Sequence, residues 1–451
     1  MKKWIALLLA VCMLMALTAC GASKSQSSSG TSSGNSGTVE LTFWHSMDSV
    51  YADLLNRQVD AFNKGIGAQK GIHVTAVFQD YPGTEALTAA MTSDDVNNMP
   101  DVIQLYSESV SLIRNYKRTV WAEDYISASD AAVKKSDLIP NTVEAYSIGG
   151  KMIGVPYSVS ALMLYYNKTY LQQAGYTEPP RTIAEMAAML PALVDKTDAQ
   201  YGLNVRVNLF ELQNWINTQG ASGTYFGNND SGHAGYMTEL NCQDQLKAYL
   251  TEWQKVVDSG AYKSVRDSIN EEFAAGMHAM VIMSSSRIPT IEKLVGSSFD
   301  WDVAPIPTVS AGDVGGAYPS GSGLFMLDRG DQAKKDAAWQ FVQYMISDEA
   351  QTMWLDGTGY VPVNVNAVNR DDYKSYIAKD PRLAAPFTVL DSTPKSVVDS
   401  FTPNSSDVDS TIKNAMLQMG SGSASADTTY DAITQGCAQA FADYYRANPI
   451  S

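Results

Sequence analysis

The sequence predicts an α/β protein built as two units, and three observations carry that prediction. The chain has 451 residues, 45% apolar and 18% charged, enough to bury more than one core and too apolar for a wholly disordered chain. From residue 39 onward, short β-runs alternate with amphipathic helical stretches, the order that gives parallel strands with crossover helices. The alternation restarts after Gly149-Gly150, where a second unit is expected.

The chain starts with a segment of another kind. Lys2 and Lys3 precede an apolar run over 5–17, shorter than the roughly 20 residues a membrane-spanning helix needs. Leu17-Thr18-Ala19-Cys20 follows, then an almost purely Ser, Gly, Thr and Asn stretch to residue 38. Such a stretch cannot bury a core and reads as a flexible tether with a reach of about 23 Å. Residues 1–19 are thus expected to be an export signal and 20–38 a tether.

The body follows element by element. A strand is predicted over 39–44, with Val39, Leu41 and Phe43 on one face, then a helix over 51–63 carrying Leu54, Leu55, Val59 and Phe62 at helical spacing. Strands over 74–78 and 102–106 flank a helix over 85–91. The strand ends carry Trp44-His45-Ser46, Gln79-Asp80-Tyr81 and Tyr106-Ser107-Glu108, polar and aromatic turns where an open α/β sheet takes its ligands. After the restart, strands over 152–155 and 162–166 flank Pro156-Tyr157-Ser158. Helices are predicted over 168–174, 183–195, 209–219 and 243–259, a short helix over 271–276, and strands over 279–283, 301–306 and 324–327. A helix over 332–345 and helices over 373–378, 406–419 and 429–448 complete the chain.

Composition removes several classes of function. The net charge is −16 with no basic run, so no nucleic acid partner is expected. Four His, none in an HExxH or i,i+4 pair, and four Cys without CxxC pairs leave no metal motif. Neither a phosphate-binding GxxxxGK[ST] loop nor a GxSxG elbow is present, so neither catalytic residue nor cofactor is expected. Counting alone leaves open a hydrolase carboxylate pair, but nothing marks one. Asn228-Asn229-Asp230-Ser231-Gly232 lacks the spaced acids of a calcium loop and reads as a turn. Cys242 and Cys437 could be bridged or be two separate buried thiols.

Five segments, in order, carry a resemblance. Phe43-Trp44-His45-Ser46-Met47 comes first. Then comes Pro156-Tyr157-Ser158-Val159-Ser160-Ala161-Leu162-Met163-Leu164-Tyr165-Tyr166-Asn167-Lys168, with Leu171 and Ala174-Gly175. Phe273-Ala274-Ala275-Gly276 with Ala279-Met280 and Ser284-Ser285-Ser286, Asp302-Val303-Ala304-Pro305-Ile306-Pro307, and residues 338–345 with Thr358-Gly359-Tyr360-Val361-Pro362-Val363 complete the set. Over roughly residues 39–446 the chain resembles the family 1 extracellular solute-binding proteins of bacterial ABC importers, in their carbohydrate and glycerol-3-phosphate branch. Leu17-Thr18-Ala19-Cys20 similarly resembles a lipoprotein processing site with Cys20 as the lipidated residue.

The resemblance implies a two-lobed, periplasmic-binding-protein-like fold of type II, each lobe an open mixed sheet flanked by helices, with a hinged cleft between. Lobe 1 would comprise 39–157 plus 306–348 and lobe 2 158–305 plus 349–451. It implies a monomer without enzymatic activity, tethered by lipid to the outer face of a bacterial cell membrane, binding a sugar or sugar-like ligand and docking on ABC permease subunits. The ligand contacts it implies are Tyr81, Tyr106 and Glu108 on lobe 1, Ser160 at the first crossing, Ser284 and Ser285, and Gly321 and Tyr360. Trp215 is a candidate stacking platform or a core residue, and Trp44 a cleft-floor or core residue. The glycerol-phosphate branch carries an Arg where this chain has residues 395–406, and no Arg occurs there. That departure favours a neutral mono- or oligosaccharide, while Arg287, beside the Ser triplet, keeps glycerol 3-phosphate or a glycerophosphodiester as the alternative.

Overall fold

The computed structural model describes residues 37–229, 233 and 235–450, with the Glu108 side chain left out; Cys20 and the leader lie outside the described residues. The strands, in chain order, are β1 (Val39–His45), β2 (Ile72–Phe78), β3 (Val102–Tyr106), β4 (Thr119–Val120), β5 (Ser147–Ile148), β6 (Lys151–Met152) and β7 (Val155–Ser160). Then come β8 (Leu162–Asn167), β9 (Tyr201–Asn204), β10 (Tyr262–Lys263), β11 (His278–Ser284), β12 (Trp301–Pro305) and β13 (Ser320–Leu327).

Two mixed sheets organise the body, as the α/β prediction required. The first has the order β2-β1-β3-β13-β4, with β7 also paired to β13. β1 runs parallel to β2 and β3, and β13 returns antiparallel beside β3. The second has the order β10-β9-β11-β8-β12, with β9 parallel to β10 and β11 and β8 antiparallel to β11 and β12. Helices flank both. The helix Ser49–Phe62 buries Leu54, Leu55, Val59 and Phe62, the spacing read from sequence. The helix Gln332–Met345 packs beside β1 and is capped by Asp331, whose side chain accepts from the Ala333 and Lys334 amides.

A single residue, Ala161, separates β7 in the first sheet from β8 in the second. Side-chain alternation then divides β8 between two cores. Met163 and Tyr165 join the cluster shared with the first sheet, while Leu162 and Leu164 face the cluster built on the helices Ile183–Lys196 and Gln243–Asp258. Pro156 differs from the sequence reading, which placed it in a connection. It lies inside β7, opposite Gly323, where the register shifts; a proline, lacking an N–H, is accommodated at such a bulge. The four-residue β9 and the helix Ala384–Ser392 were not predicted. β9 is too short to show alternation, and Gly202 lies tight against Leu190, a contact only the tertiary fold supplies.

Cys242 and Cys437 are both buried free thiols, the second of the two sequence readings. Burial pushes each thiol pKa up to about 12.

Candidate functional site

The strand ends of both sheets converge on one cavity of about 820 Å³. From the first sheet come Tyr81 after β2, Tyr106 and Ser107 at the end of β3, Ser160 at the end of β7, and Ser320 and Gly321 at the start of β13. From the second come Ser284 at the end of β11, Ser286 just after it, and Leu209, Phe210 and Gln213 on the helix Leu209–Asn217. Tyr360 and the segment Asp399–Asp409 close the remaining side. Ser, Thr and Tyr hydroxyls dominate this wall, and among the described residues no Lys or Arg lines it.

Each wall residue is placed by packing. Tyr81, 65% exposed, and Tyr106 stand edge to face at 5.0 Å and form an aromatic lip. Tyr360 packs between Tyr51 and Trp354, at 5.3 and 5.2 Å, and burial pushes its phenol well above the usual range. Beneath the lip, the Gln104 amide donates to Ser322 Oγ at 2.6 Å, and Ser158 and Ser322 share a hydroxyl contact at 2.5 Å. This polar floor is fully satisfied, which holds β3, β13 and β7 in register under the cavity. On the far side, His233 lies between the carbonyl oxygens of Ser147 and Asp399 and stacks on Phe401, fixing the segment that presents Asp399, Ser400 and Thr402.

Of the residues named from sequence, the structure brings Tyr81, Tyr106, Ser160, Ser284, Gly321 and Tyr360 to this cavity. The Glu108 backbone lies in the turn Ser107–Ser109, beside the wall. Three others sit elsewhere. Trp215 is fully buried, packs on Tyr249 and Trp253, and donates its indole N–H to the Pro307 carbonyl at 2.9 Å; of its two readings, core residue is the one observed. Trp44 packs against the core cluster of Leu87, Ile103 and Phe325 instead of the cavity. Ser285 is the correction with most meaning. Its hydroxyl accepts from the Ala161 amide and donates to the Gly359 carbonyl, and its own amide donates to Ala161 O. Fully buried, it pins the β7–β8 crossing to residue 359 and leaves Ser284 and Ser286 to face the cavity.

Sequence reasoning missed Phe210 and Tyr318, an edge-to-face pair at 5.6 Å on the cavity wall. It also missed the hydroxyls of Ser400, Thr402, Ser405 and Ser406. Their signal is in the sequence: residues 395–406 lack Arg but carry four Ser and one Thr. Among the described residues no group of three or more His, Cys, Asp or Glu is arranged to hold a metal, and no helix is long and apolar enough to cross a membrane.

Comparison with known proteins gives a consistent picture. A family model for bacterial extracellular solute-binding proteins matches residues 57–385. The sn-glycerol-3-phosphate-binding periplasmic protein UgpB of Shigella dysenteriae is 24% identical over 354 residues, covering 76% of this chain and 78% of the relative. Among solved structures, the sugar-binding protein MalE of Xanthomonas citri superposes with a TM-score of 0.72 at 20% identity, over 92% of this chain and 100% of that one. UgpB of Mycobacterium tuberculosis, in complex with glycerophosphocholine, gives 0.68 at 21% identity, over 90% and 99%. The two-lobed fold implied by the sequence is the fold of these neighbours.

Proposed function

The chain belongs to the bacterial extracellular solute-binding proteins, and from that premise we propose that it captures a carbohydrate, mono- or oligosaccharide, and passes it unaltered to the membrane subunits of an ABC importer. One observation carries this reading: a cavity of about 820 Å³ between two sheets, walled by hydroxyls and aromatic rings. A sugar presents apolar C–H faces and a rim of hydroxyls. The rings of Tyr81, Tyr106, Phe210 and Tyr360 suit the faces; serine and threonine hydroxyls, each both donor and acceptor, suit the rim. An unpaired buried hydroxyl costs about 1–3 kcal/mol, so a wall this rich in adaptable partners favours a polyol over an apolar solute. Closure of two lobes over the ligand is a motion for which periplasmic binding proteins are the standard example. Here Ala161, Ser285 and Gly359, joined at the crossing, are the pivot. The protein acts without turnover, as a monomer, held at the outer face of the membrane by a lipid on Cys20.

A second reading, capture of glycerol 3-phosphate or a glycerophosphodiester, is favoured by what the Shigella and Mycobacterium relatives are named for binding. A thermal-shift panel tests both. A ligand at 100 times its dissociation constant adds about 2.7 kcal/mol, and it is expected to be recovered chemically intact. Absence of any shift across neutral sugars, glycerol 3-phosphate and glycerophosphocholine, or release of a cleaved product, would overturn capture without turnover.

A further inference from the structure

Residues 396–402 join the two lobes a second time, apart from the Ala161 crossing. Their polar groups are engaged by the second lobe. Ser396 donates its hydroxyl to the Ser222 carbonyl at 2.6 Å, and Asn217 Nδ2 donates to the Val398 carbonyl at 2.6 Å. Gln213 accepts from the Ser400 amide at 3.4 Å and donates to Thr402 Oγ1 at 3.3 Å. Asn217 and Gln213 sit on the helix Leu209–Asn217, which Leu212, Trp215 and Ile216 anchor in the second-sheet core. Two apolar side chains of the segment go the other way. Val398 and Phe401 are buried in the first-sheet core with Leu87, Leu105, Val110, Ile113 and Phe325. The stretch of the first lobe that receives them also makes a polar clasp. Arg114 Nη1 donates to the Gly235 carbonyl at 3.1 Å, its guanidinium lies 4.6 Å over the Tyr236 ring, and Asn115 Nδ2 donates to the Tyr236 hydroxyl at 2.6 Å. His233, between the Ser147 and Asp399 carbonyls, touches both sides. Phe401 and the clasp border one small cavity of about 180 Å³, and Ser111 lines both it and the larger cavity. The seam therefore runs along the rim of the larger cavity.

We propose that residues 396–402 are a latch, fixed to the second lobe, whose Val398 and Phe401 plug into the first lobe and hold the cleft shut before any ligand arrives. Withdrawing an apolar side chain strands no hydrogen-bonding group, whereas stripping the segment from its helix would strand the Val398 carbonyl and both ends of the Gln213 amide. The lobes therefore part at the plug, and the hydrogen bonds of the clasp are exchanged for water. Asp399, Ser400 and Thr402 on the same segment line the cavity, so its wall is assembled in the ligand-free protein and entry requires the plug to withdraw. The inference rests on the cavity being the capture site and adds what keeps it closed.

Electron–electron distance measurement between two spin labels tests it without ligand. The labels go on Lys117→Cys and Glu239→Cys, exposed positions on either side of the seam, in the full chain with Cys12→Ser and Cys20→Ser; the two remaining thiols are buried. The otherwise unchanged chain is expected to show one short distance. Val398→Ser with Phe401→Ser is expected to lower the ratio of short to long distances at least about tenfold, and Phe401→Leu, which keeps the plug apolar, to retain the short distance. Tyr236→Phe removes the Asn115 bond and is expected to leave the short distance in place. Should circular dichroism show the double variant unfolded, Val398→Ala, with the smaller loss of apolar contact, decides by the same shift toward longer distances. A long distance already predominant without the plug substitutions, a short distance unmoved by them, or its loss in Tyr236→Phe would overturn the latch. A thermal-shift panel without any stabilising ligand would overturn capture and leave the distance result standing.

Discussion

Replacing Trp215 by Phe separates a core role from a ligand role. The indole is fully buried, with ring centroids 4.9 Å from Trp253 and 5.2 Å from Tyr249. Its N–H satisfies the Pro307 carbonyl. Phenylalanine keeps one ring and loses the donor, leaving a buried acceptor unpaired at about 1–3 kcal/mol. The missing apolar atoms remove about 0.8 kcal/mol for each methylene equivalent. Together these give roughly 3 kcal/mol of destabilisation. An unfolding entropy of about 2.1 cal/mol/K per residue over a body of roughly 400 residues makes that a fall of about 3–4 °C in Tm. Differential scanning calorimetry reads the fall, and titration with whichever panel ligand binds reads the affinity, expected to stay within about twofold. A tenfold loss of affinity at unchanged Tm would refute the reasoning, because it would put the ring against ligand.

Other consequences follow from single residues. Gly321 has φ 135°, and a Cβ there would run into the Ser158 carbonyl oxygen across the β7–β13 pair; Gly321→Ala is expected to destabilise by about 3 kcal/mol or more and to weaken ligand binding, read by thermal unfolding and titration. Burial raises Glu211 from the usual carboxylate range to about 7, against the pull of Arg266 and Arg206 and with Tyr249 and Tyr262 also facing it. The folded state therefore holds a proton that the unfolded chain releases nearer pH 4.5, and stability from this group is present at low pH and lost as pH rises through 7. Relative to wild type, Glu211→Gln is expected to gain on the order of 2–3 kcal/mol between pH 5 and pH 8 in denaturant titrations; a flat difference would refute the assignment. Cys242 and Cys437, in a chain lacking residues 1–37, are expected to resist thiol reagents when folded and to react once denatured, with no Tm response to reductant.

Some of this protein was legible in its residues alone. Local periodicity fixed most elements: β3, the helix Gln332–Met345 and the helix Lys168–Ala174 fall where alternation and helical spacing put them. Strand ends rich in Tyr and Ser pointed to a polar, aromatic site, because parallel sheets open at their carboxyl edge. Which hydroxyl in Ser284-Ser285-Ser286 faces the cavity was decided only by the tertiary fold, since the chain must close on Ala161 and Gly359 before Ser285 has partners. The fold also buried Trp215, because the helix Leu209–Asn217 packs against Gln243–Asp258 on that face. Spacing along a chain reports on one helix face or one strand edge, whereas juxtaposition of strand ends depends on sheet order, which local pattern does not encode.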